Sequence, residues 1–90
     1  MEIEFDPAKD AANRAKHGLG LSLSLDVFES AVGSMIDQRH RAEIRILTYG
    51  FIDGVLHACV HTPRGVVSRV ISLRRASRKE RLIWPNNLSG

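Results

Sequence analysis

The sequence has one cysteine and no long apolar segment, and both shortages restrict where the protein can act. Cys59 stands alone, so no disulfide can form within the chain. No apolar run approaches the roughly 20 residues that a membrane-spanning helix needs. The N-terminus is acidic where a signal peptide would be basic. These features together predict a cytoplasmic protein with no membrane partner.

The sequence also lacks repeats, low-complexity segments and linkers. With 90 residues, of which 43% are hydrophobic and 26% charged, we expect one folded domain over residues 1–90. A chain of this length buries only a small core, so a tight partner would contribute much of its stability.

Motifs for several kinds of chemistry are absent. The segment 18–20 has neither the length nor the lysine of a phosphate-binding loop, and no serine lies in a nucleophile elbow. His57, Cys59 and His61 alternate on one predicted strand, which places the two histidines roughly 13 Å apart, too far to share an ion. We therefore expect no metal and no cofactor.

Positive charge is concentrated near the C-terminal end. Residues 64–81 contain seven basic side chains and one acid, whereas the first ten residues contain four acids and one lysine. A basic segment of this density indicates an anionic partner such as nucleic acid, although a solvated face or a surface for an acidic protein has the same composition.

The N-terminal half predicts a short strand and then helices. Ile3 and Phe5 alternate with acids, and Asp6-Pro7 is typical of a helix start that Gly18 would end. Residues 21–28 are ambiguous, because their leucines and serines alternate with period two while the apolar positions also fit a helix.

The second half predicts a meander of four strands followed by a helix. The strands are residues 35–37, 43–49, 55–62 and 66–73, with turns at 38–41, Asp53-Gly54 and 63–65. Ser77 and Glu80 have the spacing of a capping box, Pro85 would end that helix, and residues 86–90 would fray. The predicted fold is α+β, with a largely antiparallel four-stranded sheet after an N-terminal strand and one or two helices.

A set of basic residues with few carboxylates suits RNA cleavage. The ribose 2′-hydroxyl can attack the adjacent phosphate once a base removes its proton, and arginines can hold the phosphate and stabilise the transition state. Candidates are Lys16 and His17 at a helix end, with Arg45, Arg69 and Arg74 on strands.

Each candidate also has a purely structural explanation. Lys16 and His17 would complement a helix dipole, and Arg45 and Arg69 would pair with acids across strands. In the same way, Arg78 would only solvate its helix, Glu80 would cap it, and Trp84 would anchor it to the core.

One motif lies at each end of the chain. The opening segment Phe5-Asp6-Pro7-Ala8-Lys9, followed by Asn13 and Lys16-His17-Gly18, is similar to the start of the BrnT toxin family. Val27-Phe28 matches the end of its next helix, and Asp37, Glu43 and Arg45 fit the segment that follows. Residues 69–77 with Glu80 are similar to its closing motif, so the resemblance extends from Phe5 to about Trp84.

The resemblance implies a RelE-like ribonuclease fold with two helices before the sheet, and so a helix over residues 21–28. It implies an RNA-cleaving toxin that arrests translation, neutralised by a BrnA-type antitoxin with a ribbon-helix-helix domain through which the complex binds operator DNA. Under this interpretation Arg74 holds the phosphate with Arg45 and Arg69. His17 or Lys16 transfers the proton, and Arg75 and Arg78 add affinity for the RNA backbone.

Three positions depart from the family pattern. Leu73 replaces a smaller residue, Leu23-Ser24 replaces a more acidic stretch, and Trp84 stands near a position where tyrosine is common. Trp84 could stack on a base but has no phenolic proton to donate. A non-catalytic basic binding module, or a degenerate toxin that binds its partner without cleaving RNA, would carry the same residues.

Overall fold

The computed structural model describes residues 1–39 and 42–84 and has an α+β fold. Its elements in chain order are β1 (Glu2–Glu4), α1 (Pro7–His17), a 3-10 turn (Leu21–Leu23), α2 (Ser24–Glu29), β2 (Gly33–Asp37), β3 (Arg45–Ile52), β4 (Val55–Arg64), β5 (Val67–Arg75) and α3 (Arg78–Ile83). The predicted turn at 38–41 lies partly outside the described residues, and the predictions for Pro85 and for residues 86–90 lie entirely outside them.

The sheet has five strands, in the order β1-β5-β4-β3-β2, and not the four that were predicted. Strands β2 to β5 form the expected antiparallel meander, but β1 joins the sheet parallel to β5, with Glu2 opposite Val67 and Glu4 opposite Arg69. The sheet is therefore mixed. The prediction was wrong here because alternation identifies a strand but does not indicate which distant strand it pairs with.

Short-range signals explain most of the turns and helix ends. Asp53 and Gly54 both have positive φ, at 51° and 76°, as a two-residue hairpin turn of type I′ requires. Asp6 accepts a hydrogen bond from the Ala8 amide at 2.8 Å and so caps α1. The capping box of Ser77 and Glu80 is present at the start of α3. These three predictions are confirmed.

Residues 21–28 form the 3-10 turn and most of α2, as the family resemblance implied and as the period-two alternation did not favour. Leu21, Ser24 and Val27 recur every three residues and are fully buried, whereas Leu25 is 42% exposed. The buried spacing is that of a helix, so packing of this stripe against the sheet overrides the local alternation.

The last hairpin turn lies later than predicted. Pro63 and Arg64 continue β4 and pair with Ser68 and Val67, so the chain reverses at Gly65 and Val66. Strand β5 consequently begins at Val67 and continues to Arg75. A bulge between Val60 and His61 also shifts the register of this hairpin.

The two faces of the sheet carry separate apolar clusters. Helix α2 and the 3-10 turn cover one face, where Leu21 and Val27 pack with Cys59 and Leu73. The opposite face carries Tyr49, Leu56, Ala58 and Ala76, with Trp84 packed against them. The indole of Trp84 lies 5.6 Å from the Tyr49 ring, so Trp84 anchors the end of α3 to the sheet.

Helix α1 is attached to the outer edge of β5, beyond the point where β1 ends. The side-chain amide of Asn13 donates to the carbonyl of Leu73 at 2.8 Å, and its oxygen accepts from the Leu73 amide at 3.0 Å. Asn13 is 5% exposed and also donates to the carbonyl of Leu19. One buried side chain therefore satisfies both backbone groups of Leu73 at the β5 edge and fixes α1 against it.

Candidate functional site

A groove of about 390 Å³ lies between α1 and the sheet face that α2 leaves open. Its floor includes Leu47 of β3, Val60 of β4 and Ser72 of β5, which are register partners and so lie on one face. Among the described residues, no aspartate or glutamate lines it, and its basic lining residues are Lys9, Lys16, His17, Arg39 and Arg74. The groove therefore concentrates positive charge on an open part of the surface.

Helix α1 supplies one wall of the groove. Lys9, Ala12, Asn13 and Lys16 lie three and four positions apart, so they share one side of the helix. His17 is the last helical residue, and Gly18, with φ of 71°, ends the helix directly after it. Within the described ranges Lys9, Lys16 and His17 are exposed and make no hydrogen bond or ion pair, so their polar groups are available to a ligand.

Arg74 is the groove residue with the most defined geometry. Its Nη1 and Nη2 donate to the two carboxylate oxygens of Glu80 at 2.6 and 2.9 Å, and Nη1 also donates to the Arg75 carbonyl at 3.3 Å. The hydrogen bonds to Glu80 raise the pKa of Arg74 further above its ordinary value. These contacts use three of the five N–H groups of a guanidinium, so the Nε–H and one Nη2–H remain for an incoming anion.

Glu80 accepts hydrogen bonds from two strands and from the cap of its own helix. Besides Arg74, it accepts the Tyr49 hydroxyl at 2.6 Å and the Ser77 amide at 2.8 Å. The hydrogen bonds from Arg74 hold the pKa of Glu80 far below its usual range, with the Ser77 amide and Tyr49 acting in the same direction. Burial, with the hydrogen bond to Glu80, raises the pKa of Tyr49 to about 12.

Arg39 lies at the opposite rim of the groove, just after β2. Its Nε and Nη2 donate to the two carboxylate oxygens of Asp37 at 2.9 and 2.8 Å, and these bonds raise the pKa of Arg39. The fork orients the guanidinium, although its side chain is 82% exposed and the pair therefore adds little to stability.

The structure brings some of the predicted site residues together and leaves others apart. Lys16, His17 and Arg74 line the groove. Arg45 lies on the same face by strand alternation, and Arg69 does so because the bulge shifts the register of β5; they pair with Glu43 and Glu4 respectively. The other two predicted RNA contacts, Arg75 and Arg78, do not line it.

The separation of Arg74 and Arg75 follows from strand geometry. Arg74 is the register partner of Ala58 on the groove face, whereas Arg75 is the partner of His57 and lines a different depression with Leu19 and Leu23. Successive residues of a strand point to opposite faces. Arg78 begins α3 and is exposed.

A comparison with known protein families adds to this geometry. The sequence model of a family described as "Ribonuclease toxin, BrnT, of type II toxin-antitoxin system" matches residues 5–80. The chain belongs to the BrnT family. Among curated proteins, none matches the chain.

Membership of the BrnT family gives the groove a functional context. The family consists of ribonuclease toxins of type II toxin–antitoxin systems, so its members have an RNA substrate and an antitoxin partner. The match covers both α1 and Arg74, which line the groove, and it extends to Glu80, the partner of Arg74. None of the described helices is long and apolar enough to cross a membrane.

The groove and the network beside it contain residues that the sequence analysis did not select. Lys9 was quoted only as part of a motif, although its spacing of seven from Lys16 signals a shared helix side. Arg39 and Tyr49 reach the site only through the folding of β2 and β3. Glu80 was correctly predicted as a cap, but its pairing with Arg74 depends on where α3 turns back over the sheet.

The three alternating residues of β4 are used for packing and hydrogen bonding. Nδ1 of His57 bonds the Val55 carbonyl at 2.7 Å, and Nε2 of His61 bonds Thr48 at 2.7 Å. Cys59 is fully buried, and that burial raises its pKa to about 12. Within residues 1–39 and 42–84, no three His, Cys, Asp or Glu side chains are grouped so that they could hold a metal ion.

Proposed function

We propose that this chain is a metal-independent, RelE-like endoribonuclease that cleaves RNA in the groove between α1 and the open sheet face, and so arrests translation and growth. The observation that carries the proposal is the composition of the groove: Arg74 and four other basic side chains line it, with no carboxylate among the described lining residues. A phosphodiester is the anion of RNA that such a site would bind.

The proposed reaction begins with the phosphate held by Arg74. Its remaining N–H groups donate to the non-bridging oxygens, whose negative charge grows as the ribose 2′-oxygen attacks phosphorus. The bond from phosphorus to the 5′-oxygen breaks, which gives a 2′,3′-cyclic phosphate and a free 5′-hydroxyl. Cationic side chains can stabilise the charge that develops during this attack.

The proton transfers are assigned to the end of α1. His17 or Lys16 takes the proton from the 2′-hydroxyl, and the conjugate acid of such a group can return a proton to the leaving 5′-oxygen. Both side chains line the same groove as Arg74. Lys9 and Arg39 bind the flanking phosphates, and Arg45 and Arg69 extend the cationic face beyond the groove.

The test compares purified wild-type protein with Arg74→Ala, and uses Arg75→Ala as a matched control. Both variants lose one arginine, but only Arg74 faces the groove. We expect cleavage of single-stranded RNA to fall about a hundredfold or more in Arg74→Ala, and to change by less than about threefold in Arg75→Ala. Cleavage is followed on gels in the presence of a chelator.

Two outcomes would contradict the proposal. A folded Arg74→Ala protein with wild-type cleavage would remove Arg74 from the mechanism. Folded wild-type protein that binds RNA with steep salt dependence but leaves it intact would instead identify a non-catalytic binding module or a degenerate toxin.

The antitoxin partner is proposed to be of the BrnA type, with a ribbon-helix-helix domain that binds the operator DNA for the complex. The exposed, cationic groove is the surface that a neutralising partner has to cover. Co-expression of such an antitoxin should restore growth and yield a complex on purification. Separate elution of the two proteins would contradict this assignment.

A further inference from the structure

Arg74 is hydrogen-bonded to Glu80, which in turn is hydrogen-bonded to Tyr49. Binding a phosphate through Arg74 does not by itself require these two residues. Glu80, on α3, meets the guanidinium with both carboxylate oxygens, and its side chain is only 15% exposed. Tyr49, on β3, donates its hydroxyl to Oε2 of the same carboxylate and is 1% exposed. Side chains from β3, β5 and α3 therefore meet at one carboxylate beneath the groove.

Helix capping accounts for only one of the four hydrogen bonds that the Glu80 carboxylate accepts. In the capping box, Oε1 of Glu80 accepts the Ser77 amide, and the Ser77 hydroxyl accepts the Glu80 amide. The other oxygen, Oε2, takes no part in the cap, and both its donors, Arg74 and Tyr49, belong to the sheet. The carboxylate thus has a second role, which concerns Arg74.

We propose that Glu80 and Tyr49 are positioning residues, which hold the Arg74 guanidinium in the orientation that binds the phosphate of the scissile bond. This inference rests on the function proposed above. An arginine side chain has several rotatable bonds, and fixing them before the substrate arrives lowers the entropic cost of reaching the transition state. A two-point contact with Glu80 fixes the plane of the guanidinium, and the Tyr49 hydroxyl fixes the carboxylate.

The protonation states of this network suit a structural role. Glu80 is ionised and Tyr49 is protonated across the neutral range, since hydrogen bonds from Arg74 hold the pKa of Glu80 far below neutrality and burial raises that of Tyr49 to about 12. Neither group exchanges a proton near pH 7. Their removal should therefore lower the rate without moving the pH optimum, which is set by the proton-transfer groups.

The experiment uses three variants of the full chain. Glu80→Gln keeps the shape and an oxygen for the cap but replaces one acceptor by an NH₂ donor that cannot accept from Arg74. Tyr49→Phe removes only the hydroxyl. Ser77→Ala is the control, because it weakens the cap of α3 and leaves the contact between Glu80 and Arg74 in place.

We expect kcat for RNA cleavage to fall about tenfold to a hundredfold in Glu80→Gln and about threefold to tenfold in Tyr49→Phe. Ser77→Ala should keep the wild-type kcat at a temperature where it is folded. The Kd for an uncleavable 2′-deoxy oligonucleotide should change by less than about threefold in all of them, because flanking phosphate contacts remain.

Chemical rescue separates positioning from simple folding. Arg74→Ala should regain part of its kcat when free guanidinium ion is added at concentrations that do not unfold the protein. That rescue should disappear in Arg74→Ala/Glu80→Gln, because no carboxylate then holds the added ion. Equal rescue in both proteins would overturn the positioning role.

The outcomes distinguish this inference from the proposed function. Inactive Arg74→Ala together with fully active Glu80→Gln and Tyr49→Phe would overturn the inference and leave the function intact. A higher kcat in Glu80→Gln would also overturn it, because Glu80 would then be restraining Arg74. Uncleaved RNA with the wild-type protein would overturn both.

Discussion

His61 is a histidine enclosed between the sheet and α2. It is 7% exposed, meets the Phe28 ring edge-on at 4.7 Å and bonds Thr48 through Nε2. Its Nδ1 is buried and has no hydrogen-bond partner among the residues that the structure describes. Burial lowers the pKa of His61 below the usual 6.5, so the folded protein keeps this ring neutral where the unfolded chain protonates it.

The pH dependence of folding should reveal this histidine. At pH values well above 6.5, the pKa of His61 in the unfolded chain, the ring is neutral in both states and does not affect the free energy of unfolding. As pH falls below about 6.5, the unfolded chain binds a proton at His61 that the folded protein does not, so the free energy of unfolding decreases. Between pH 7.5 and 5.5 the free energy of unfolding should fall by about 1 kcal/mol more in the wild type than in His61→Gln.

Denaturant unfolding at both pH values measures this difference. His17→Gln is the control, since His17 is exposed at the end of α1. If His61→Gln and the wild type lose the same free energy on acidification, protonation of His61 is not coupled to unfolding.

The roles of single residues could be predicted where they depend on near neighbours in the chain. Asp6, Gly18 and Ser77 act on backbone groups within four positions, so their spacing revealed them. Tyr49 could not be found in this way, because a tyrosine in an alternating strand has the same pattern whether its hydroxyl meets solvent or Glu80. The distinction depends on a contact 31 positions away.

At the scale of elements, Gly50 and Gly33 each lie where another part of the chain packs directly against the strand. The neighbouring atoms differ in how easily they can move. A Cβ on Gly50 of β3 would collide with the backbone carbonyl of Val27 in α2. A Cβ on Gly33 of β2 would collide with the outer ring atoms of Trp84. The Val27 carbonyl is part of the helix backbone and can move only with α2, whereas the Trp84 ring is the end of a side chain and can move by itself.

Alanine at the two positions should therefore have unequal effects. Gly50→Ala should lower the free energy of unfolding by about 1–3 kcal/mol, because α2 has to move from the sheet. Gly33→Ala should cost less than about 1 kcal/mol and should shift the emission of Trp84, the single tryptophan. Urea unfolding and fluorescence measure both, and equal losses with unchanged emission would contradict the distinction.

Elements that pair locally were predictable, and those that pair over distance were not. The Asp53-Gly54 hairpin joins adjacent strands, so its turn residues determine the pairing of β3 and β4. Strand β1 pairs with β5 about 65 positions away, where Glu4 lies opposite Arg69. Its alternation predicted the strand but contained no information about its neighbour.

At the scale of the whole molecule, charge is divided between the two faces of the sheet. The groove face presents Lys9, Lys16 and Arg74, whereas Arg75 faces the side covered by α2. Basic residues are concentrated in residues 64–81, but the groove draws Lys9, Lys16 and Arg39 from outside that segment, so the sequence alone could not show which of them act together. The fold determines which basic residues line the groove, and strand alternation places the adjacent residues Arg74 and Arg75 on opposite faces.

The salt dependence of RNA binding should show which face of the sheet contacts the RNA. For single strands, log Kobs falls with log salt concentration by about 0.7 for each phosphate contact. Lys9→Ala should reduce that slope by about 0.7, whereas Arg75→Ala, with the same loss of charge, should leave it unchanged. Titrations of an uncleavable oligonucleotide between low and moderate salt measure the slopes. An equal reduction in both variants would show that RNA also contacts the α2 face.

The bond between Asn13 and Leu73 has a consequence for how such a toxin is switched on. Asn13 lies in the helix that carries Lys9, Lys16 and His17, and Leu73 directly precedes Arg74. Both walls of the proposed site are thus tied together by the chain itself, within its own sheet edge. We therefore expect the groove to be formed already in the free toxin, so that the onset of its action follows the rate at which the antitoxin is removed.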